Sequence, residues 1–231
     1  AFLNEARILS SLFDIKEVVK VLDYFEEREN AYIVMEFVQG ISLRQYLESR
    51  NQPMSFTEAW NFLLPVMEAL EKVHQNKLIH RDISPDNFII KEDGSIKLLD
   101  FGSAREYAEE KTMTVLVKKG YAPPEQYSRK GKQGPWTDIY SICATLYEMI
   151  TGVIPQPAME RLKADKLYLP SSYGCDITPL QEKILMKGLA LDYKKRYKDI
   201  AELKNSFFPE KQERQKKNKK YGILILSLIH I

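Results

Sequence analysis

A chain of 231 residues is long enough for one sizeable domain or two small ones. With 44% hydrophobic, 11% aromatic and 29% charged residues it can bury a core, which excludes a disordered, collagen-like or disulfide-stapled polypeptide. The formal net charge of +2 averages a mildly acidic body, 28 Lys/Arg against 30 Asp/Glu through residue 209, and a basic tail with six Lys/Arg against Glu210 and Glu213.

Two cysteines, Cys143 and Cys175, are too few for a secreted framework and lack metal-ligand spacing, so a reducing compartment is expected. Residue 1 is Ala rather than Met, and Ala1 to Leu12 reads as the middle of an amphipathic helix, with Phe2, Leu3, Ala6, Ile8, Leu9 and Leu12 near a 3.6 period. Sequence is therefore expected to be missing at both ends. Val18 to Phe25 and Ala31 to Val38 are β-branched and aromatic runs around the charged turn Glu26–Asn30, which predicts a hairpin. Ser42 with Gln45 is a capping-box pattern for a short helix, Leu43 to Glu48. Ser55 with Glu58 repeats the pattern for a long helix to about Gln75, whose apolar face uses Leu63, Val66, Met67, Leu70 and Val73. Pro65 inside it removes a hydrogen bond and predicts a kink.

Phe88–Ile90 and Ile96–Leu98 flank the turn Glu92-Asp93-Gly94-Ser95 and predict a second hairpin. A loop is expected from there to about Tyr127. Thr137 is expected to cap an apolar helix, Asp138 to Ile150, ended by Gly152 and Pro155. Thr178-Pro179 with Gln181 opens a helix through about Leu191, and Asp199 to Phe207 forms the last one. The order is a few strands followed mostly by helices, an α+β pattern.

The densest polar cluster is His80-Arg81-Asp82-Ile83-Ser84-Pro85-Asp86-Asn87, after an apolar helix, and Asp100-Phe101-Gly102 follows the second strand of the second hairpin. Two acids and an amide at strand ends suit Mg²⁺, a hard cation that takes oxygen ligands and shares them with phosphates. A further acid, Asp82, is then free to orient a hydroxyl. Taken singly, these are also ordinary turn residues; their order, spacing and context together favour the chemistry.

On these residues the chain resembles the catalytic domain of protein kinases, of the bacterial Ser/Thr type, from Ala1 to about Phe208. Ala122-Pro123-Pro124-Glu125 looks like the family's A-P-E box, with the second proline filling the variable place. The resemblance implies a two-lobe α+β fold: a partial N-lobe over 1–38, from helix C to the hinge, and a C-lobe over 39–208. Asp82 would accept or orient the proton of the substrate hydroxyl, and Asn87 and Asp100 would hold the metal ions, Mg²⁺ or Mn²⁺, that bridge the phosphates of ATP. Glu5 falls at the helix-C glutamate. Met35-Glu36-Phe37-Val38 resembles the gatekeeper and hinge, with adenine bonding main-chain groups of Glu36 and Val38. Asp138 would hold the catalytic-loop backbone, Arg196 would pair with Glu125, and Gly102 completes D-F-G. His80 is expected to shape its loop and His74 to be a packed structural residue. Arg81 before Asp82 implies an activation loop ordered by an anion, with Thr112 and Thr114 as candidate phosphate acceptors or plain solvated threonines.

Two departures stand out. Where Ser/Thr kinases usually carry a lysine two residues after the catalytic aspartate, this chain has Ser84; where they usually carry a threonine before the A-P-E box, it has Lys118. The expectation is a swap, the Lys118 ammonium serving the γ-phosphate while Ser84 supplies the hydroxyl; a surface charge on a loop is the alternative. The glycine-rich loop and the lysine strand of the family are absent from this sequence, so the polypeptide as it stands is expected to transfer phosphate barely, and its parent protein to do so. A pseudokinase scaffold and a small-molecule phosphotransferase of the aminoglycoside or choline type are the alternatives.

Protein substrates and dimerisation for trans-autophosphorylation are the partners the resemblance implies; nucleic acid is not expected. The basic run 209–220 followed by the apolar 221–231 reads as the juxtamembrane end of a single-pass receptor kinase, with a cytoplasmic catalytic domain anchored to the membrane. Leu226 to Ile231 also matches the translation of a sequencing-library transposon end, so those residues carry both readings.

Overall fold

The computed structural model describes Leu12 and residues 14–28, 30–99, 105–106, 117–128 and 130–207. Expectations for Glu5, Asp100, Gly102, Thr112, Thr114, the helix preceding Leu12 and the tail 209–231 lie outside the described residues.

The first hairpin forms from β1 (Val21–Glu27) and β2 (Asn30–Met35), antiparallel with Glu27 opposite Asn30. Its connection is tighter than the Glu26–Asn30 turn expected from charge. Arg28 takes a left-handed conformation (φ 56°), which a two-residue hairpin turn requires of its first central position. β3 (Ile41–Ser42) then pairs with β5 (Phe88–Ile90), and β5 with β6 (Ile96–Leu98), in an antiparallel three-stranded sheet. A further pair joins β4 (Leu78–Ile79) to β7 (Arg105–Glu106), the latter inside a stretch expected to be loop.

Helix α1 (Leu43–Ser49) carries the full capping box of Ser42 and Gln45. Helix α2 (Phe56–Gln75) is capped by Ser55, but only half of its expected box is present: Glu58 accepts two bonds from Arg50 (2.8 and 3.2 Å). A charged partner offers the carboxylate more than a return bond to a backbone amide. Helix α2 runs as one element across Pro65.

Helix α3 (Pro135–Thr151) begins three residues before the expected start. Gly134 is its N-cap and Pro135 its first residue, where the missing N–H of proline is no loss. Thr137 therefore sits one turn in, accepting the Gly134 N–H at 3.2 Å. The helix ends where expected, on Gly152 in the left-handed region (φ 71°).

Every residue of α3 from Thr137 to Thr151 is buried, so this helix is the axis of the core rather than an amphipathic cover. Helix α2 packs on it, and Leu63, Val66, Met67 and Leu70 of α2 are buried in the same core. On its other sides lie α5 (Pro179–Gly188) and α6 (Ile200–Phe207), with the short α4 (Ala158–Arg161) leading into them. The capping box of Thr178 and Gln181 opens α5, which stops at Gly188, short of the expected Leu191. A Cβ on Gly188 would lie 2.2 Å from Cys143 Sγ, so glycine lets α5 approach α3 this closely. Phe56, Trp60 and Phe207 close the far end of the core, with Trp60 and Phe207 rings 4.7 Å apart. Among the described residues no helix is long and apolar enough to cross a membrane.

Candidate active site

The polar cluster lies on the segment between β4 and β5, directly above α3. Arg81 takes a left-handed conformation (φ 72°) that a non-glycine residue adopts only when its surroundings enforce it. Asp138 does the enforcing. Fully buried on α3, it accepts the Arg81 N–H on Oδ1 (2.9 Å) and the His80 N–H on Oδ2 (2.9 Å), while His74 Nε2 on α2 meets Oδ2 at 2.8 Å. Burial alone would push the Asp138 carboxyl up, but the His74 bond and the loop amides outweigh it and hold the group below its ordinary value. His74 is thus packed, as expected, and is also the partner of the acid that shapes the loop.

His80 is fully buried. Its Nε2 lies 3.0 Å from the Leu99 carbonyl and its Nδ1 accepts the Asp82 N–H at 3.2 Å. A ring nitrogen facing a carbonyl must carry the proton and one facing an N–H must not, so a single neutral tautomer fits. The ring is spent on holding Asp82.

The short 3₁₀ turn Pro85–Asn87 folds Asn87 back onto the loop. Its amide nitrogen donates to the Asp82 carbonyl (2.6 Å) and to Asp82 Oδ2 (2.9 Å). Among the described residues no hydrogen bond engages the amide oxygen of Asn87, the atom that suits a hard cation. Asp100 lies outside the described residues, and among those described no group of three His, Cys, Asp or Glu side chains could hold a metal ion.

Lys118 arrives from a segment 36 positions further along the chain than Asp82. Its ammonium donates to Ser84 Oγ at 3.0 Å and lies 3.5 Å from Asp82 Oδ2 and 4.0 Å from Asp86 Oδ2. Ser84 is fully buried, whereas the Lys118 side chain remains about a third exposed, so the ammonium reaches the hydroxyl from the solvent edge of the loop. The Lys118 backbone is held by its own turn: its carbonyl accepts the N–H groups of Tyr121 (3.1 Å) and Ala122 (3.0 Å), and Gly120 supplies the left-handed residue (φ 89°).

Below that turn, the 3₁₀ segment Pro124–Tyr127 presents Glu125 to Arg196 in a two-pronged pair (2.7 and 3.0 Å). The other guanidinium N–H groups go to the carbonyls of Ala190, Trp136 and Leu191, and Thr137 donates to Glu125 at 3.2 Å. Gln126 donates to the Arg81 carbonyl at 2.7 Å, a link between the two segments that no sequence signal marked.

At the segment expected to be the hinge, the Glu36 N–H is committed to the Lys20 carbonyl (2.9 Å). Burial pushes the Glu36 carboxyl up, but its bonds to the Lys97 ammonium and the Lys20 N–H prevail and hold it below its usual value. Met35 and Phe37 are exposed and Val38 is half-buried.

A four-residue network went unread in the sequence. Arg44 on α1 bonds Glu148 on α3 and donates to the Tyr121 hydroxyl (2.6 Å), the same hydroxyl donates to Glu148, and Arg44 Nε lies 3.6 Å from Asp86 Oδ1. Its members are 27 to 104 positions apart in pairs, so no local pattern could reveal them. Burial pushes the Tyr121 hydroxyl up and the neighbouring Glu148 pushes it further, so it acts as a donor.

A family profile described as Protein kinase domain matches residues 1–205. The chain is 34% identical over 222 residues to the serine/threonine-protein kinase PrkC of Bacillus subtilis, covering 89% of this chain and 33% of that protein. It is 32% identical over 195 residues to the probable serine/threonine-protein kinase PknB of Lactococcus lactis, covering 80% and 31%. It therefore spans about a third of the length of these relatives. A solved structure, the PpkA-294 apo form, superposes with a TM-score of 0.74 at 32% identity, covering 89% of this chain and 73% of that one.

Proposed function

The chain belongs to the protein kinase domain family, and from that premise we propose that its parent protein is an ATP-dependent Ser/Thr protein kinase in which Lys118 and Ser84 have exchanged the usual places of lysine and hydroxyl. The observation that carries this reading is the Lys118 ammonium 3.0 Å from Ser84 and 3.5 Å from Asp82.

Phosphoryl transfer passes through a loose, highly charged transition state, so the protein's task is to position groups and neutralise charge. Asp82 is fixed on three sides: its N–H by His80, its carbonyl by Asn87, and its Oδ2 by the Asn87 amide. So held, it accepts the proton of a substrate hydroxyl as the hydroxyl oxygen bonds the γ-phosphorus and the bond to the bridging oxygen breaks, leaving ADP. The Lys118 ammonium stands beside that carboxylate, where the transferring group's negative charge gathers. The Asn87 amide oxygen, with Asp100 as the motif implies, would hold Mg²⁺, which when bound would neutralise the phosphates. The Glu36 carbonyl and Val38 main chain would receive the adenine. Protein hydroxyls are the proposed acceptors; the serine/threonine kinases among the relatives support that class.

Radiolabelled ATP given to the full-length gene product tests the reading. Incorporation at Ser or Thr is expected from the wild type and is expected to vanish in Asp82→Asn. Equal incorporation by both would refute the assignment.

A further inference from the structure

We propose that Arg44 is a positioning residue for phosphoryl transfer, holding the Lys118 ammonium against Asp82 by gripping Tyr121 on one side and Asp86 on the other. The inference rests on Lys118 being the catalytic cation.

The lysine side chain is long and flexible, and nothing in its own turn fixes its tip. Two anchors are needed, one for the turn that carries it and one for the surface that receives it. Arg44 reaches both. Its Nη2 donates to the Tyr121 hydroxyl at 2.6 Å, and its Nη1 bonds Glu148, which accepts from the same hydroxyl. Tyr121 in turn closes the turn, its N–H on the Lys118 carbonyl and its own carbonyl on Ser141 Oγ (2.9 Å). On the other side Arg44 Nε lies 3.6 Å from Asp86 Oδ1, while Asp86 Oδ2 takes Ser84 Oγ at 3.4 Å and lies 4.0 Å from the Lys118 ammonium. One carboxylate thus stands between the two cations.

The guanidinium keeps its charge throughout. Burial works against it, but the bonds to Glu148 and Tyr121 prevail and hold its pKa above the ordinary arginine value. A planar fork can serve a hydroxyl and two carboxylates at once; an ammonium at the same position cannot. Helix α1 begins one residue after β3, which pairs with β5 just beyond Asn87. The fork is therefore mounted on the same framework as the catalytic loop, directly after the hinge segment.

The test is a double-mutant cycle in the full-length gene product, reading kcat and KM for ATP separately. Misplacing a catalytic group by an ångström can cost about 100-fold in rate. Arg44→Ala is expected to lower kcat by about 10- to 100-fold, to leave KM for ATP within about twofold, and to lower kcat no further when Lys118 is already Ala. Arg44→Lys should keep only part of the activity, and Tyr121→Phe should show a smaller loss that is also silent in the Lys118→Ala background. If Lys118→Ala retains wild-type kcat, the catalytic reading of Lys118 fails and this inference with it. If Lys118→Ala is impaired but Arg44→Ala is not, or its factor persists undiminished in the Lys118→Ala background, the positioning role alone is overturned. Should Arg44→Ala not fold, Arg44→Lys and Tyr121→Phe decide by the same criterion.

Discussion

Arg196→Met would remove a buried charge whose every donor is satisfied. Arginine has five N–H donors, and each has a partner here: two on Glu125 and one each on the carbonyls of Ala190, Trp136 and Leu191. The guanidinium is wholly buried and the Glu125 side chain is 6% exposed. Methionine would fill much of the space but leave a buried carboxylate with Thr137 as its remaining side-chain donor among the described residues, and would take away the guanidinium donor from the carbonyls of Ala190 and Leu191. Removing one partner of a buried pair costs about 3–5 kcal/mol, whereas an exposed pair is worth about 0–1 kcal/mol. At about 2–4 °C per kcal/mol for a domain of this size, the melting temperature should fall by roughly 6–20 °C. Thermal and urea unfolding, followed by tryptophan fluorescence, reads it directly. Arg196→Lys should fall between, since an ammonium keeps the charge and loses the fork. Adding Glu125→Gln to Arg196→Met should recover about 1 kcal/mol or more by removing the stranded charge. A loss below about 1 kcal/mol for Arg196→Met would show that burial of this pair does not have the energetic meaning given to it.

Returning the lysine to its usual place gives another test. Ser84→Lys alone should lower kcat by at least about tenfold, because a long side chain at a fully buried position would bring a second ammonium against the first, and adding Lys118→Thr should restore much of the rate. A Ser84→Lys enzyme as active as wild type would contradict the swap. Gly120→Ala places a Cβ 2.5 Å from Ile154 Cγ2 at a φ of 89°, and should cost about 1–3 kcal/mol in stability and lower kcat by displacing Lys118. Wild-type stability and rate would mean the turn adapts freely. Asp138 has a folded pKa below its ordinary value, so its contribution is complete above pH about 4 and is lost as pH falls through the folded pKa. Asp138→Asn should therefore be less stable at neutral pH and show a flatter acid limb below pH about 4; an unchanged limb would assign the acid sensitivity elsewhere.

What the sequence made legible was local. Ser42 with Gln45 and Thr178 with Gln181 name helix starts because a cap and its partner lie three residues apart. Thr137 misled for the same reason: threonine is a favoured N-cap, yet Gly134 before Pro135 starts the helix and Thr137 serves Glu125 from within it. Glu58 misled because Arg50, eight residues away, outbids the backbone amide. The loop cluster around Asp82 was readable through motif and spacing, and so was the unusual pairing of Ser84 with Lys118. The Arg44, Glu148 and Tyr121 network was not, since it exists only once three elements have packed. His74 gave its burial away but not its partner, because nothing in helical periodicity says that Asp138, 64 positions on, arrives at its ring.

Asp138 also changes what kind of loop the His80–Asn87 segment is. The amides of His80 and Arg81 belong to neither a helix nor a strand, yet they point at a carboxylate from the first turn of a helix that is buried from Thr137 to Thr151. Such hydrogens are released to solvent only when α3 itself opens. They should therefore exchange with deuterium on the timescale of global unfolding, far more slowly than neighbouring loop amides. Substitutions along α3 that weaken the core would then appear first as faster exchange at His80 and Arg81.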